Sequence, residues 1–230
     1  KGAAVAAVIG RGVGLLLTLY VLTKREQLIT FTLPKVRVIL QTWKKILYIA
    51  GPATASILIT PLSIGIVTRI IAKFGDEAVA AFGIVSRMEM FSLILVNALG
   101  SVMIIFAGQN WGKGNVKRLI KGFDSGVIIA MLWGLLLFIV AQFFAEQIAS
   151  LFSENLEVIH ITKDYLLIVS FSYGFQGVLM VGVNIFNGIN KPMPSAGLTA
   201  LRMVGLYVPL AWLASVYWNL TGVFWSAFAA

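Results

Sequence analysis

The chain has 230 residues, 59% of them hydrophobic and only 12% charged, with a mean hydropathy of +0.93. A soluble domain carries roughly twice that charged fraction and could not hide so much apolar surface in one core, so the lipid bilayer is the expected solvent. The formal charge of +9 lies in short segments between apolar runs, which argues against a nucleic-acid partner, and the lack of cysteine excludes disulfides and Cys-based metal sites.

Six full apolar runs follow in order, at 2–23, 46–71, 78–107, 125–145, 165–189 and 194–218. Each reaches the roughly 20 residues a spanning helix needs, and a backbone in hydrocarbon must satisfy its own hydrogen bonds. The expected fold class is therefore all-α, a polytopic transmembrane helical bundle. A barrel would need short alternating strands, which are not seen. The chain opens at Lys1 without a Met, and its last run, from Asn219, ends at Ala230 before it could span. The expectation is a fragment cut inside its seventh span.

Loop charge alternates. The segment 24–45 holds Lys24, Arg25, Lys35, Arg37, Lys44 and Lys45 against Glu26. The next loop has Asp76 and Glu77 beside Lys73, the third Lys113, Lys117, Arg118 and Lys121 against Asp124. The fourth has Glu146, Glu154, Glu157 and Asp164 against Lys163, and the fifth has Lys191. Basic loops mark the cytoplasmic side, so the first, third and fifth are expected there. Trp43 and Trp111 then fall at inner ends, and Tyr217 and Trp218 at an outer end, as interfacial aromatics do.

Intramembrane charges are few, Arg11, Arg87 and Glu89 with Arg69 and Arg202 nearer the ends, and each must face protein or water. Glu89 lies about a third of the way into the third run; it reads either as a proton or cation site or as an ion-pair partner of a neighbouring helix. Arg87, two residues away, points to a nearly opposite helix face. Arg11, mid-span in the first run, reads as cavity lining, or as a snorkelling or paired residue. In the second run Pro52, Ser56, Thr60 and Ser63 share one face. Pro61 cannot donate to the Ile57 carbonyl, so Pro52 and Pro61 are hinge candidates. That face suits either a cation or close packing. In the fifth run Ser172, Gln176, Met180, Val183 and Asn187 form a stripe flanked by Tyr173 and Asn184, with cavity lining and packing both open. His160 reads as a solvated surface residue.

The stretch 45–115 resembles the MATE (multidrug and toxin extrusion) transporters. The matching residues are Ile49-Ala50-Gly51-Pro52, then Phe74-Gly75-Asp76-Glu77-Ala78-Val79-Ala80-Ala81-Phe82-Gly83-Ile84, Ser86-Arg87, and Gly108-Gln109-Asn110-Trp111-Gly112-Lys113-Gly114-Asn115. The start at Gly2-Ala3-Ala4-Val5-Ala6-Ala7 looks like the family's sixth helix, and Phe186-Asn187-Gly188-Ile189-Asn190-Lys191-Pro192 like the end of its tenth. The resemblance implies three parts. Residues 1–23 are the last helix of an N-terminal lobe, 24–45 a cytoplasmic inter-lobe linker, and 46–230 a C-terminal lobe of five full helices and a truncated sixth. The rest of the N-terminal lobe is expected as a missing partner.

The resemblance also implies export of amphipathic organic cations, drugs and toxins by cation-coupled antiport, with alternating access about a cavity between two lobes. The coupling ion is a proton or sodium, with no other cofactor and no metal site. The setting is the plasma membrane of a prokaryote. Cavity candidates on this reading are Glu89, Thr60, Ser56, Tyr173, Gln176, Met180, Asn184, Asn187 and Arg11. The chain departs from the NorM-like branch, whose acids in the second and fifth of these helices correspond here to Thr60 and Gln176. Neither can release a proton near neutral pH. It looks more similar to the DinF-like branch, whose key acid lies in a first helix outside this sequence. A lipid-linked saccharide flippase of the same superfamily and a non-transporting membrane subunit are the alternatives. No HExxH, GxSxG or paired catalytic carboxylates occur, so an enzyme is not expected.

Overall fold

The computed structural model describes residues 2–25 and 35–230, apart from the side chains of Ala3, Ala4, Ile49, Ala53 and Ser56. Every described element is helical. Six helical stretches among the described residues are long and apolar enough to cross a membrane: Val5–Arg25, Val36–Phe74, Ile94–Gly112, Val116–Ser150, Leu156–Gly188 and Pro192–Tyr217. The chain divides into two compact units, Lys1–Ile46 and Leu47–Ala230.

The first unit holds α1 (Gly2–Tyr20), which continues as a π turn at Val21–Arg25. Arg11 is exposed on α1. Thr18 and Thr23 donate their hydroxyls to the carbonyls of Gly14 and Leu19 at 2.8 and 2.7 Å. Such back-bonding satisfies a hydroxyl where water is absent. Part of the expected linker, 26–34, lies outside the described residues. Its remainder is not a loop, because α2 (Val36–Ile71) begins at Val36.

The second unit contains the rest of α2, then α3 (Asp76–Ser92), α4 (Ile94–Gly112), α5 (Val116–Ser150), α6 (Leu156–Val169) and α7 (Tyr173–Gly188). After these come α8 (Pro192–Ala200), a π segment at Leu201–Tyr207, α9 (Val208–Tyr217) and α10 (Asn219–Ala229). Its apolar core gathers Val67, Ile71, Phe82, Val85, Tyr165, Val169, Tyr207, Ala211 and Phe224 from α2, α3, α6, the π segment, α9 and α10. The Tyr165 ring meets Phe82 and Phe224 edge-on, at centroid distances of 6.4 and 5.1 Å.

In lipid there is no hydrophobic force between helices, so association rests on close packing at small residues. α5 and α7 show this. A Cβ at Gly134 would collide with the backbone of Gly174, and one at Gly177 would come within 3.0 Å of the Ala130 methyl. α4 and α7 meet in the same way, since a Cβ at Gly188 would strike the Ile104 carbonyl.

The helices outrun the apolar sequence. α5 has 35 residues, roughly 50 Å at 1.5 Å per residue, against a hydrocarbon core of about 30 Å. Lys117, Arg118, Lys121 and Asp124, expected in a loop, therefore lie on its first turns. The connection itself is short. The Asn110 carbonyl accepts from the Asn115 backbone N–H at 2.9 Å, Gly114 adopts φ +69°, and the Asn115 side chain caps α5 by accepting from the Arg118 N–H at 3.2 Å. The Gly-Gln-Asn motif is thus a helix exit joined to a helix start.

The expected single span at 78–107 is broken at Leu93, between α3 and α4. Competing donors account for it. The Ser92 carbonyl accepts the Trp133 indole N–H at 2.7 Å, and the Leu93 carbonyl accepts the Asn97 side-chain amide at 3.0 Å. The backbone ladder resumes at once, with the Asn97 N–H on the Leu93 carbonyl at 2.9 Å.

Candidate functional site

Helical spacing builds the site. On α3, Phe82, Ser86 and Glu89 repeat at four and three residues and share one face. On α2 and α6 the pairs Thr60 with Ile64, and Tyr165 with Val169, do the same. These seven residues, with Gln176 of α7, Arg202, Met203 and Tyr207 of the π segment, and the C-terminal Ala227 and Ala230, line one cavity of about 140 Å³. A water molecule's share of the liquid is about 30 Å³, so the cavity holds a few waters or one partly hydrated cation.

The cavity is mostly aromatic and aliphatic, with one carboxylate and one guanidinium. Glu89 Oε1 accepts the Tyr165 hydroxyl at 2.8 Å. Ser86 spends its hydroxyl on the Phe82 carbonyl, also at 2.8 Å. Arg202 is half-buried, within electrostatic reach of Glu89, and its Nε donates to the Ala230 carbonyl at 3.1 Å. Gln176 and Arg202 also line a second cavity, of about 340 Å³, whose wall is otherwise largely apolar. With Ala230, which also lines both, they form the partition between the two.

The structure sorts the sequence candidates. Glu89, Thr60 and Gln176 come together in the cavity. Tyr173 is buried in the apolar core, and its hydroxyl has no hydrogen-bond partner among the described residues. Asn184 is taken up in packing: its amide donates to the Met180 carbonyl at 2.7 Å and presses on Gly100 of α4. Asn187 is exposed, and Met180 is half-buried beside neither cavity. The α7 stripe therefore reaches the cavity only through Gln176. Pro52 and Pro61 lie within one continuous helix, and the Ser56 side chain lies outside the described residues.

Arg202, read from the sequence only as an intramembrane charge near a helix end, and Tyr165 and Tyr207 were not among the cavity candidates. Residues 202 and 207 are five apart, which in an α-helix separates their side chains by roughly 140°. A π turn closes from i to i+5 and brings them into line. The π segment at Leu201–Tyr207 is what turns both toward Glu89. An interruption of the apolar pattern at Arg202 was the only available signal.

Fold and site together define a polytopic helical membrane protein whose second unit holds a cavity lined by a half-buried carboxylate. Comparison with known proteins makes the class specific. The sequence profile of the MatE family matches residues 52–213, and the chain belongs to that family. It is 33% identical over 218 residues to a protein named FAD transporter from Shewanella oneidensis, matching 94% of this chain and 48% of that protein. It is 26% identical to the probable multidrug resistance protein YoeA of Bacillus subtilis, over 95% of this chain and 48% of that one. The Vibrio cholerae MATE transporter VcmN in its bent form superposes with a TM-score of 0.88 at 30% identity, covering 99% of this chain and 51% of that one. The chain spans about half the length of the curated relatives it matches.

Proposed function

We propose that residues 46–230 form the C-terminal lobe of a cation-coupled antiporter, and that 1–23 end an N-terminal lobe. The whole protein exports amphipathic or cationic compounds across a prokaryotic plasma membrane by alternating access, coupled to protons or sodium. The observation that carries this reading is the Glu89 carboxylate, held by Tyr165 in a largely apolar cavity. A carboxylate inside a membrane bundle is costly, and such residues mark ion pathways. The resemblance assigns the NorM-like acids to the positions of Thr60 and Gln176, and both line this same cavity. On this reading Glu89 of α3 supplies the carboxylate of that chamber.

Coupling requires that cation and substrate bind the two conformations differently. One carboxylate can do this if it takes a cation in one state and yields it, or accepts an organic cation, in the other. Arg202 favours a second reading of the substrate. A guanidinium suits an acidic group, and the Shewanella relative is named an FAD transporter. On that reading the cargo is an anionic, flat heteroaromatic compound of the flavin dinucleotide class. A saccharide flippase fits less well, because Arg87 is exposed on α3 and leaves Arg202 as the cavity's one guanidinium.

Full-length protein in proteoliposomes tests the reading. Under an imposed proton or sodium gradient, transport of an ethidium-like cation supports the first substrate class, and transport of FAD the second. No gradient-driven movement of either contradicts the antiporter.

A further inference from the structure

The cavity contains its own cation. Arg202 and Glu89 line the same chamber of about 140 Å³, yet no contact as short as an ion pair joins them: the Glu89 carboxylate takes its hydrogen bond from Tyr165 instead. Among the described residues the other ionisable groups facing Glu89 are tyrosines, Tyr165 from α6, Tyr173 from α7 and Tyr207 from the π segment. Arg202 is therefore the nearby positive charge that balances it. An arginine is always charged, so it cannot leave by losing its proton. It can leave only by moving.

The backbone beneath Arg202 provides a means. Leu201–Tyr207 is a seven-residue π segment between two α-helical stretches, α8 and α9. π turns are rarer than α turns and recur at functional sites. Return of this segment to α geometry would change its register by one residue, turning Arg202 away from the face it shares with Tyr207.

We propose that Arg202 is a tethered counter-cation, a positioning residue that competes with the coupling ion for Glu89 and is displaced when that ion binds. This rests on the reading of Glu89 as the cation site and adds what sets its affinity. An arriving proton or sodium replaces the guanidinium as the charge partner of the carboxylate. The freed guanidinium then faces the second cavity, which it already lines with Gln176, and can meet an acidic group of a substrate there. Cation loading on one side and substrate release on the other are joined through one side chain.

Removing a like charge from a chamber of this size should strengthen binding of a monovalent cation roughly ten- to fifty-fold. The experiment uses full-length protein in nanodiscs. Sodium titration at fixed pH, with choline holding ionic strength, is followed by the carboxylate bands in difference infrared spectra; a pH titration in sodium-free buffer gives the proton arm. The wild type should respond to one of the two cations and E89Q to neither. R202Q should bind that cation at least tenfold more tightly, and R202K, which keeps the charge, should stay within about threefold of wild type. R202H covers the case in which glutamine disturbs the fold. Its imidazole discharges near pH 6.5, so its sodium affinity should rise across that pH more than the wild type's, or, if the proton is the ion, its carboxylate titration should broaden relative to R202K. A wild-type affinity in R202Q, or in R202H no difference from R202K at any pH, overturns the counter-cation while leaving the Glu89 site intact. Absence of any response in the wild type overturns the site itself, and this inference with it.

Discussion

Replacing Gly134 by alanine is a demanding test of the packing that positions the cavity. The added Cβ would overlap the backbone N and Cα of Gly174, and backbone atoms inside two packed helices cannot step aside as a flexible side chain could. α5 and α7 would have to separate by about 1 Å to restore ordinary contact, opening gaps along the seam where Gly126 meets Val181. Overpacking costs about 1–3 kcal/mol, and gaps too small to refill forfeit a further part of the dispersion energy. A loss of roughly 2–4 kcal/mol is expected. Gly182, next to Val181 but on another face of α7, has open space at its Cβ, so Gly182→Ala should be neutral or gain up to about 1 kcal/mol of helix propensity. Reversible unfolding of full-length protein in mixed micelles, titrated with SDS, measures both. Equal stability of the two variants would refute the backbone-to-backbone contact, and with it the position of Gln176 on α7.

Other substitutions isolate single interactions. Trp133→Phe keeps one aromatic ring but removes the pyrrole half of the indole and with it the donor to the Ser92 carbonyl, and should cost about 1–2 kcal/mol in the same titration; a neutral result would show that the break at Leu93 does not depend on that bond. The Glu146–Lys163 pair, at 2.8 Å, lies at the surface, so Lys163→Ala should leave stability nearly unchanged, with any effect fading as salt is raised. Thr60→Asp places a second carboxylate in the cavity with Glu89 and should raise sodium binding in nanodiscs by about tenfold or more; unchanged binding would remove α2 from the chamber.

Much of the architecture was legible because lipid imposes it. Runs of 20 or more apolar residues can only be helices there, and five of the six full spans reappear as long apolar stretches, the third only in its second part, Ile94–Gly112. The helix ends were less legible. Hydropathy marks where the hydrocarbon stops, whereas α2 and α5 run on through charged turns at Val36 and Val116. The break at Leu93 depends on a donor 41 residues away, Trp133, which local pattern cannot report. Glu89 stood out as a lone acid, and Thr60 and Gln176 as polar residues on apolar helices. The stripe on α7 misled because it assumes one partner along the whole helix; Gln176 meets the cavity while Asn184 meets Gly100 of α4. Arg202 and Tyr207 share a face only through a π register, and periodicity arguments assume 3.6 residues per turn throughout.

The role we propose for Glu89, coupling transport to a cation gradient, can be measured in the whole protein. The most direct measurement is counterflow and gradient-driven efflux by full-length wild type and E89Q in proteoliposomes, with the proton and sodium gradients imposed separately. The account predicts that E89Q still exchanges substrate across the membrane but no longer accumulates it against its gradient under either ion. Full gradient-driven accumulation by E89Q would contradict it.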